Sequence, residues 1–266
     1  MLKNPHDVRT LCFCLACAAV YVLNWKTPRL GLTCASCLQA FQMSVVVHNC
    51  AHTPPFASPS ANGVFFLVLT LLSGSPASLY VPGHNESHHR HLEKAGDMMR
   101  TCRMTFQSDA LNLLLFIPTI LPDVVKHERA FMREQRRQKT RLFRQYVWET
   151  ALYHATLLAL VLCDWKKAFA VYLVPAAVGK ACILSLNMLQ HFKCEPESKY
   201  NHSRNFTGPL LNYLFLCNGY HTVHHMRPGL HWSRLPREHA KIADKIDPSL
   251  VHDNILRYTL AAHFSR

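Results

Sequence analysis

Histidine is the residue of this chain whose numbers and spacing point to chemistry. Eighteen of 266 residues are His, more than the 16 Asp and Glu together. Eight of them fall into three tight groups. His48 and His52 form His-x-x-x-His. His84, His88 and His89 form His-x-x-x-His-His, with His91 two residues on. His221, His224 and His225 form His-x-x-His-His. Positions three or four apart on a helix share a face, so each group can aim at least two imidazoles at one point. Neutral imidazole suits iron, copper, nickel and zinc, so ligand type alone leaves the metal open. Eight imidazoles exceed what one four-coordinate zinc accepts, and two ions are the natural reading. Zinc-hydrolase spacing is missing: in His84-Asn85-Glu86-Ser87-His88 the Glu stands in the wrong place for His-Glu-x-x-His. No Gly-x-Ser-x-Gly elbow, dinucleotide fingerprint or phosphate loop occurs. Cys34-x-x-Cys37 has no second pair and reads as helix interior.

The groups need a scaffold, and the apolar runs supply it. The hydrophobic content of 49% excludes intrinsic disorder, and the length excludes a small disulfide framework. Cys12, Cys14, Cys17, Cys34, Cys37, Cys163 and Cys182 all lie in apolar runs, where Cys behaves as a small hydrophobe. A bilayer core needs roughly 17–25 mostly apolar residues per helix. Leu11–Leu23 (with Trp25 as an interface aromatic), Leu30–Val47, Val147–Leu162 and Ala168–Leu189 approach this. The connections Asn24–Arg29 and Cys163–Lys167 are short, which makes antiparallel hairpins. The expected fold is therefore all-α and integral to the membrane: four transmembrane helices in two hairpins, with interfacial helices and a His-rich cap. Gly63–Val81, interrupted by Gly74, Ser75 and Pro76, and Ala110–Val125, containing Pro118 and Pro122, are expected to be interfacial or half-inserted.

The formal net charge is +13. Residues 1–9, 90–146 and 190–266 hold 24 of the 29 Lys and Arg, which places the N-terminus, the centre and the C-terminus on the cytoplasmic side. That topology gathers all three His groups at one cytoplasmic mouth. A nucleic-acid binder is set aside because its basic residues would flank hydrophobic spans. The basic segment from Lys126 to Arg144 suits an anionic membrane surface or an acidic protein. The first apolar segment is followed at once by a second, so no cleavable signal peptide is expected.

At this point a resemblance enters. His48-Asn-Cys-Ala-His52, His84-Asn-Glu-Ser-His88-His89 and His221-Thr-Val-His224-His225 resemble the three boxes of the membrane fatty acid desaturase and hydroxylase superfamily, in order and spacing. It covers roughly residues 30–240, within a single domain over 1–266 with a central cytoplasmic segment 82–146 and a C-terminal cap 190–266. Gly83 to His91, Gly219 to His225, Pro228 and His231-Trp232 resemble the short bacterial-type members most. The resemblance implies a di-iron centre with O2 as co-substrate. It also implies a ninth ligand where Asn187-Met-Leu-Gln-His191 stands: His191 on the metal, and Asn187 acting on the centre through water. The implied metal set is His48, His52, His84, His88, His89, His191, His221, His224 and His225, with no separate acid or nucleophile.

His91 is expected beside the centre or at the surface, and His231 and Trp232 packed beneath the third box. His154 and Lys180 fall mid-span, and His202 is a weak further ligand candidate. Glu86, Asp97, Asp123, Glu149, Glu238 and Asp253 are available to accept a hydrogen bond from the other ring nitrogen of a metal-bound His. The reaction expected is insertion of a double bond into a fatty acyl chain of an acyl lipid or thioester. The alternative is a hydroxylase or ketolase acting on an acyl chain, alkane or carotenoid at the same site; a membrane metal carrier is the reading from another class. No cytochrome b5 segment, iron–sulfur pattern or flavin fingerprint is fused to the chain, so a separate ferredoxin-like or cytochrome b5-like donor is expected. The short chain leans to a bacterial inner membrane over the endoplasmic reticulum.

Overall fold

The computed structural model describes residues 1–264. These are helical almost throughout: α1 Asp7–Lys26, α2 Leu30–His52, α3 Pro59–Ser73, α4 Asp109–Arg137, α5 Arg141–Lys167, α6 Val174–His191, α7 Pro209–Leu214, α8 His221–Met226, α9 Leu235–Ala240 and α10 Ile255–His263. π-helical segments cover Val81–His89 and Ala168–Leu173. Two short strands, β1 Asn205–Phe206 and β2 Val251–His252, pair in parallel. The chain divides into two compact units, Met1–Val81 with Ala130–Ile183, and Pro82–Arg129 with Leu184–Arg266.

Four helical stretches are long and apolar enough to cross a membrane: Asp7–Lys26, Leu30–His52, Asp109–Arg137 and Arg141–His191. The first two extend the apolar runs Leu11–Leu23 and Leu30–Val47 by a turn or so at their ends. In the first unit α1 packs along α2, where Asn24 donates to Thr33 Oγ1 and Ser36 Oγ at 3.3 and 3.2 Å. Arg141–His191 is broken at Asp164, which leaves helical geometry (φ −164°, ψ 99°) and accepts the Lys167 N–H on its side chain at 3.1 Å. Tyr153 and Tyr172 then lie with ring centroids 6.4 Å apart. On one straight helix they would be about 28 Å apart, so the chain folds back at Asp164. Lys167 sits 6.0 Å from the ring of Trp25, which brings the ends of α1 and α5 together.

The apolar run Gly63–Val81 forms no straight span. Ser58 caps α3 by accepting the Ala61 N–H, and Pro59 occupies the first turn. Gly74 ends the helix at φ 73°, a conformation that costs glycine little, and a Cβ there would lie 2.3 Å from that of Ala176. After Pro76 the chain resumes as Ala77–His89, bent 89° from α3. A buried carboxylate fixes this corner. Glu149 of α5 accepts the Ser78 N–H at 2.7 Å, the Ser78 hydroxyl at 2.9 Å and the Gln145 amide at 2.9 Å. Glu149→Gln turns one acceptor oxygen into a donor, stranding at least one buried donor at about 1–3 kcal/mol. The expected result is a drop of roughly 5 °C in the melting temperature of the purified protein, by the usual scaling for this size.

The run containing Pro118 and Pro122 departs from expectation. Ala110–Val125 belongs to a continuous 29-residue α4 that also meets the length and apolarity of a span. Both prolines sit on its exposed face with Leu114 and Leu121, while Asn112, Phe116 and Ile120 are buried. Proline removes one backbone donor and crowds the carbonyl four residues back, and on an outward face that crowding meets no packed neighbour. In the second unit Phe116 and Ile120 pack with Met99, Met104, Met188 and Phe192 in one apolar cluster around the end of α6.

Candidate metal centre

Four of the expected ligands converge within the second unit. His88, His191, His221 and His225 place one ring nitrogen each within 4.8 Å of the others. His88 and His191 Nε2 are 3.2 Å apart, His191 and His221 Nε2 2.9 Å, and His221 and His225 Nε2 3.1 Å. Three more form a second group in the same unit: His89 Nε2 lies 3.0 Å from His84 Nε2 and 2.9 Å from His224 Nε2. In the first unit His48 and His52 face each other at the end of α2, ring centroids 5.2 Å apart, and His48 Nδ1 donates to Asn49 Oδ1 at 2.9 Å.

Local structure explains these placements. The π-helical turn over Val81–His89 carries His84, His88 and His89 together. His191 ends α6, where Arg204 donates its guanidinium to the carbonyls of Leu189 and Phe192 at 2.7 and 3.3 Å. A cation there opposes the negative end of the helix dipole. The six-residue α8 is too short to hold itself. The Thr222 N–H donates to Asn205 Oδ1 at 3.1 Å, and the Thr222 hydroxyl accepts the Asn205 amide at 2.8 Å. That pins the first turn, from which His221, His224 and His225 project.

The hydrogen bonds decide which nitrogens are bare. His88 Nδ1 lies 2.9 Å from Asp97 Oδ2, and His191 Nδ1 3.2 Å from the carbonyl of His202. A carboxylate and a carbonyl only accept, so each Nδ1 carries the proton and, in the neutral ring, each Nε2 presents a lone pair. Two such lone pairs 3.2 Å apart repel until a proton or a metal ion stands between them, and Asp97, which favours positive charge on His88, suits either. This is the arrangement of metal-bound His, whose remote nitrogen is held by a carboxylate or carbonyl. A metal about 2.1 Å from each nitrogen puts neighbouring nitrogens about 3.0 Å apart at right angles and about 3.4 Å apart at the tetrahedral angle. The observed separations of 2.9 to 3.2 Å lie close to this range. Residues and spacing fit an imidazole-bound iron.

Burial and the neighbouring imidazoles hold the His225 ring well below its ordinary pKa, keeping it in the neutral form that binds metal. Burial alone would raise the Asp97 carboxyl. His88 and the backbone N–H groups of Glu93 and Met99 outweigh it and bring Asp97 down to about 2.

Asp97 is the carboxylate that meets a ligand among the six candidates. Glu86 pairs with Arg90, Asp123 with Arg103, and Glu238 with Arg227 and Lys241, while Glu149 holds the corner described above. Asn187 donates to the Met99 carbonyl at 3.2 Å, and the Met99 N–H donates to Asp97 Oδ1 at 2.8 Å, so it is tied to His88 through protein groups. His202 is buried with its ring centroid 5.8 Å from that of His225. His91 lies over Gly96. Trp232 is buried, and His231 caps the short helix after it. His154 is exposed and bonds the Thr150 carbonyl, and Lys180 lies 5.9 Å from the Tyr80 ring. The eleven cysteines are all free thiols. One residue outside the expected set matters: Glu93, buried at φ 61°, accepts both the Thr101 and Cys102 N–H groups and closes the loop that carries Asp97. Only a loop returning on itself after the second box would have hinted at it.

With this geometry in place, the comparison with known families is decisive. The fatty acid desaturase family model matches residues 23–256. The chain belongs to the fatty acid desaturase family. No curated protein and no solved structure matches it. Family membership makes this a desaturase- or hydroxylase-type membrane protein of the di-iron kind, with His clusters that can bind metal.

Proposed function

We propose that this desaturase-family member is a membrane-bound, O2-dependent di-iron desaturase that introduces a double bond into a fatty acyl chain. The observation that carries the reading is the convergence of the Nε2 atoms of His88, His191, His221 and His225, with the remote Nδ1 of His88 held by Asp97 and that of His191 by a carbonyl. These four would hold one iron. His84, His89 and His224 would hold the other, and His48 and His52 stay in the proposed ligand set on the strength of the first His box. Two irons supply, when bound, the oxidising power to take hydrogen from an unactivated methylene, with O2 and two external electrons. The balance is –CH2–CH2– plus O2, two electrons and two protons, giving –CH=CH– and two waters.

The chain's own residues do the rest. Asp97 and the His202 carbonyl fix the tautomers of two ligands. Glu149 and Gly74 set the corner from which the second box departs. The Met99–Phe116–Met188 cluster keeps water from the end of α6. We place the four spans as two hairpins with the His groups on the cytoplasmic side, in a bacterial inner membrane, with Asn187 acting on the centre. A separate ferredoxin-like or cytochrome b5-like donor docks on the basic face, and turnover supported by that donor falls as ionic strength rises.

The test is a lipid profile of cells expressing the chain or its His224→Ala variant. A new double bond, a loss of two hydrogens by mass, is expected with the parent chain alone. Gain of one oxygen instead would assign the hydroxylase, and identical profiles would remove the enzymatic reading. Metal analysis of the parent chain is expected to give about two irons.

A further inference from the structure

The C-terminal helix α10 has two unlike sides. One is built into the second unit. Tyr258 lies 4.5 Å from the buried Arg204 guanidinium, with its ring 5.5 Å from that of Phe206. His263 is buried, donates from Nδ1 to the Asp109 carbonyl at 3.0 Å and meets the Phe192 ring at 6.1 Å. Asn254 caps the helix by accepting the Arg257 N–H. The other side is bare. Leu256, Leu260 and Phe264 stand at i, i+4 and i+8 and are 72%, 63% and 51% exposed. Nothing in the described chain covers them.

Two observations say what does. First, this stripe lies beside a helix long and apolar enough to cross a membrane. Asp109, to which His263 is tied, is the first residue of α4, a candidate span whose Leu111, Leu114 and Leu115 are exposed just beyond it. The helix α7 leaves the same β1–β2 pair and exposes Leu210 and Tyr213. Five large apolar side chains on two short helices is more than the scattered exposure of a soluble surface. Second, the charge is right: exposed Arg257 follows Leu256 on a chain of net charge +13, which anionic head groups attract.

We propose that α10 is an interfacial anchor, lying in the head-group layer of an anionic bilayer with Leu256, Leu260 and Phe264 inserted among the acyl chains. The same helix stacks on Arg204, which caps the carbonyls at the end of α6 beside His191. Membrane contact at the C-terminus thereby steadies a ligand-bearing helix end from outside the spans. The proposal rests on the membrane reading and not on the iron chemistry, so its failure leaves the desaturase assignment standing.

The experiment uses the full chain in nanodiscs of mixed phosphatidylglycerol and phosphatidylcholine. Phe264→Trp and Leu260→Trp each add one emitter to the parent's four tryptophans, and the added emission is obtained by difference. It is expected to be blue-shifted and quenched at least twofold by lipids brominated high on the acyl chain, but not by aqueous iodide. Asp244→Trp, on an exposed turn of the same unit, is expected to give the reverse. Added emission quenched by iodide and indifferent to brominated lipid would overturn the proposal in favour of a solvated helix. Emission reached by neither quencher would overturn it in favour of a second copy of the chain covering the stripe.

Discussion

His191→Ala is expected to abolish product formation and to lower the iron content of the purified protein from about two to about one per chain. The effect is large because of where His191 stands. Its Nε2 is 3.2 Å from that of His88 and 2.9 Å from that of His221, so its removal breaks the group in the middle. His191 is itself buried, beside the apolar cluster around Met188 and Phe192, so no neighbouring polar side chain stands ready to take the place of the lost imidazole. Activity is expected to fall at least a thousandfold, the iron left behind being the one at the His84–His89–His224 group. The measurement is metal analysis with Mössbauer spectroscopy on the same preparation. Retention of two irons with full activity would remove His191 from the ligand set. His191→Gln, which can still donate and accept hydrogen bonds but binds metal poorly, separates ligation from packing: it should fold as the parent does and still lose the iron.

Asp97→Asn is the second large effect. The carboxylate holds the proton of His88 on Nδ1 and leaves Nε2 free for metal. An asparagine can present its amide N–H instead, which would force the His88 proton to the metal-facing nitrogen. Loss of such a partner commonly lowers metal affinity 10- to 100-fold. The expected outcome is loss of one iron during dialysis against a chelator that leaves the parent loaded, with partial activity recovered in excess iron. The variant also tests a pH effect. Asp97 titrates at about 2 in the folded chain against an ordinary 3.8. A carboxyl whose pKa is depressed by folding contributes stability that is complete above the ordinary value and disappears as the pH falls through the folded one. The metal-free parent should therefore lose its advantage over Asp97→Asn between pH 4 and pH 2; the advantage should also shrink as the pH rises through the neutral range, because Asp97 raises the pKa of His88 and that contribution is lost when His88 deprotonates. An advantage unchanged down to pH 2 would remove the carboxylate from the pairing with His88.

Much of the scaffold could be read from composition, because a bilayer demands long uncharged runs and punishes interruptions. Leu30–Val47 and the corner at Gly74-Ser75-Pro76 announce themselves that way, as does the fatty acid desaturase family through its three His boxes. What escaped reading depends on which groups meet in space. Six carboxylates were equally available to the histidines. Asp97 meets His88 because Leu92 and Glu93 adopt positive φ (28° and 61°) and turn the chain back after the second box, a conformation no spacing encodes. Glu149 looks like a misplaced charge in a span until the Ser78 backbone donor is set against it. Pro118 and Pro122 suggested an interrupted segment, yet α4 runs through both, because their ring faces point outward where a missing hydrogen bond disturbs no packing.

The chain of hydrogen bonds from His88 through Asp97 and Met99 to Asn187 has a consequence for assembly. Asn187 stands one helical turn before His191, so two ligands a hundred positions apart in the chain are braced against each other by groups that need no ion. The pocket is thus shaped by folding itself. Apoprotein inserted in the membrane should already hold its imidazoles open for loading, and iron would arrive last, as a guest in a finished room.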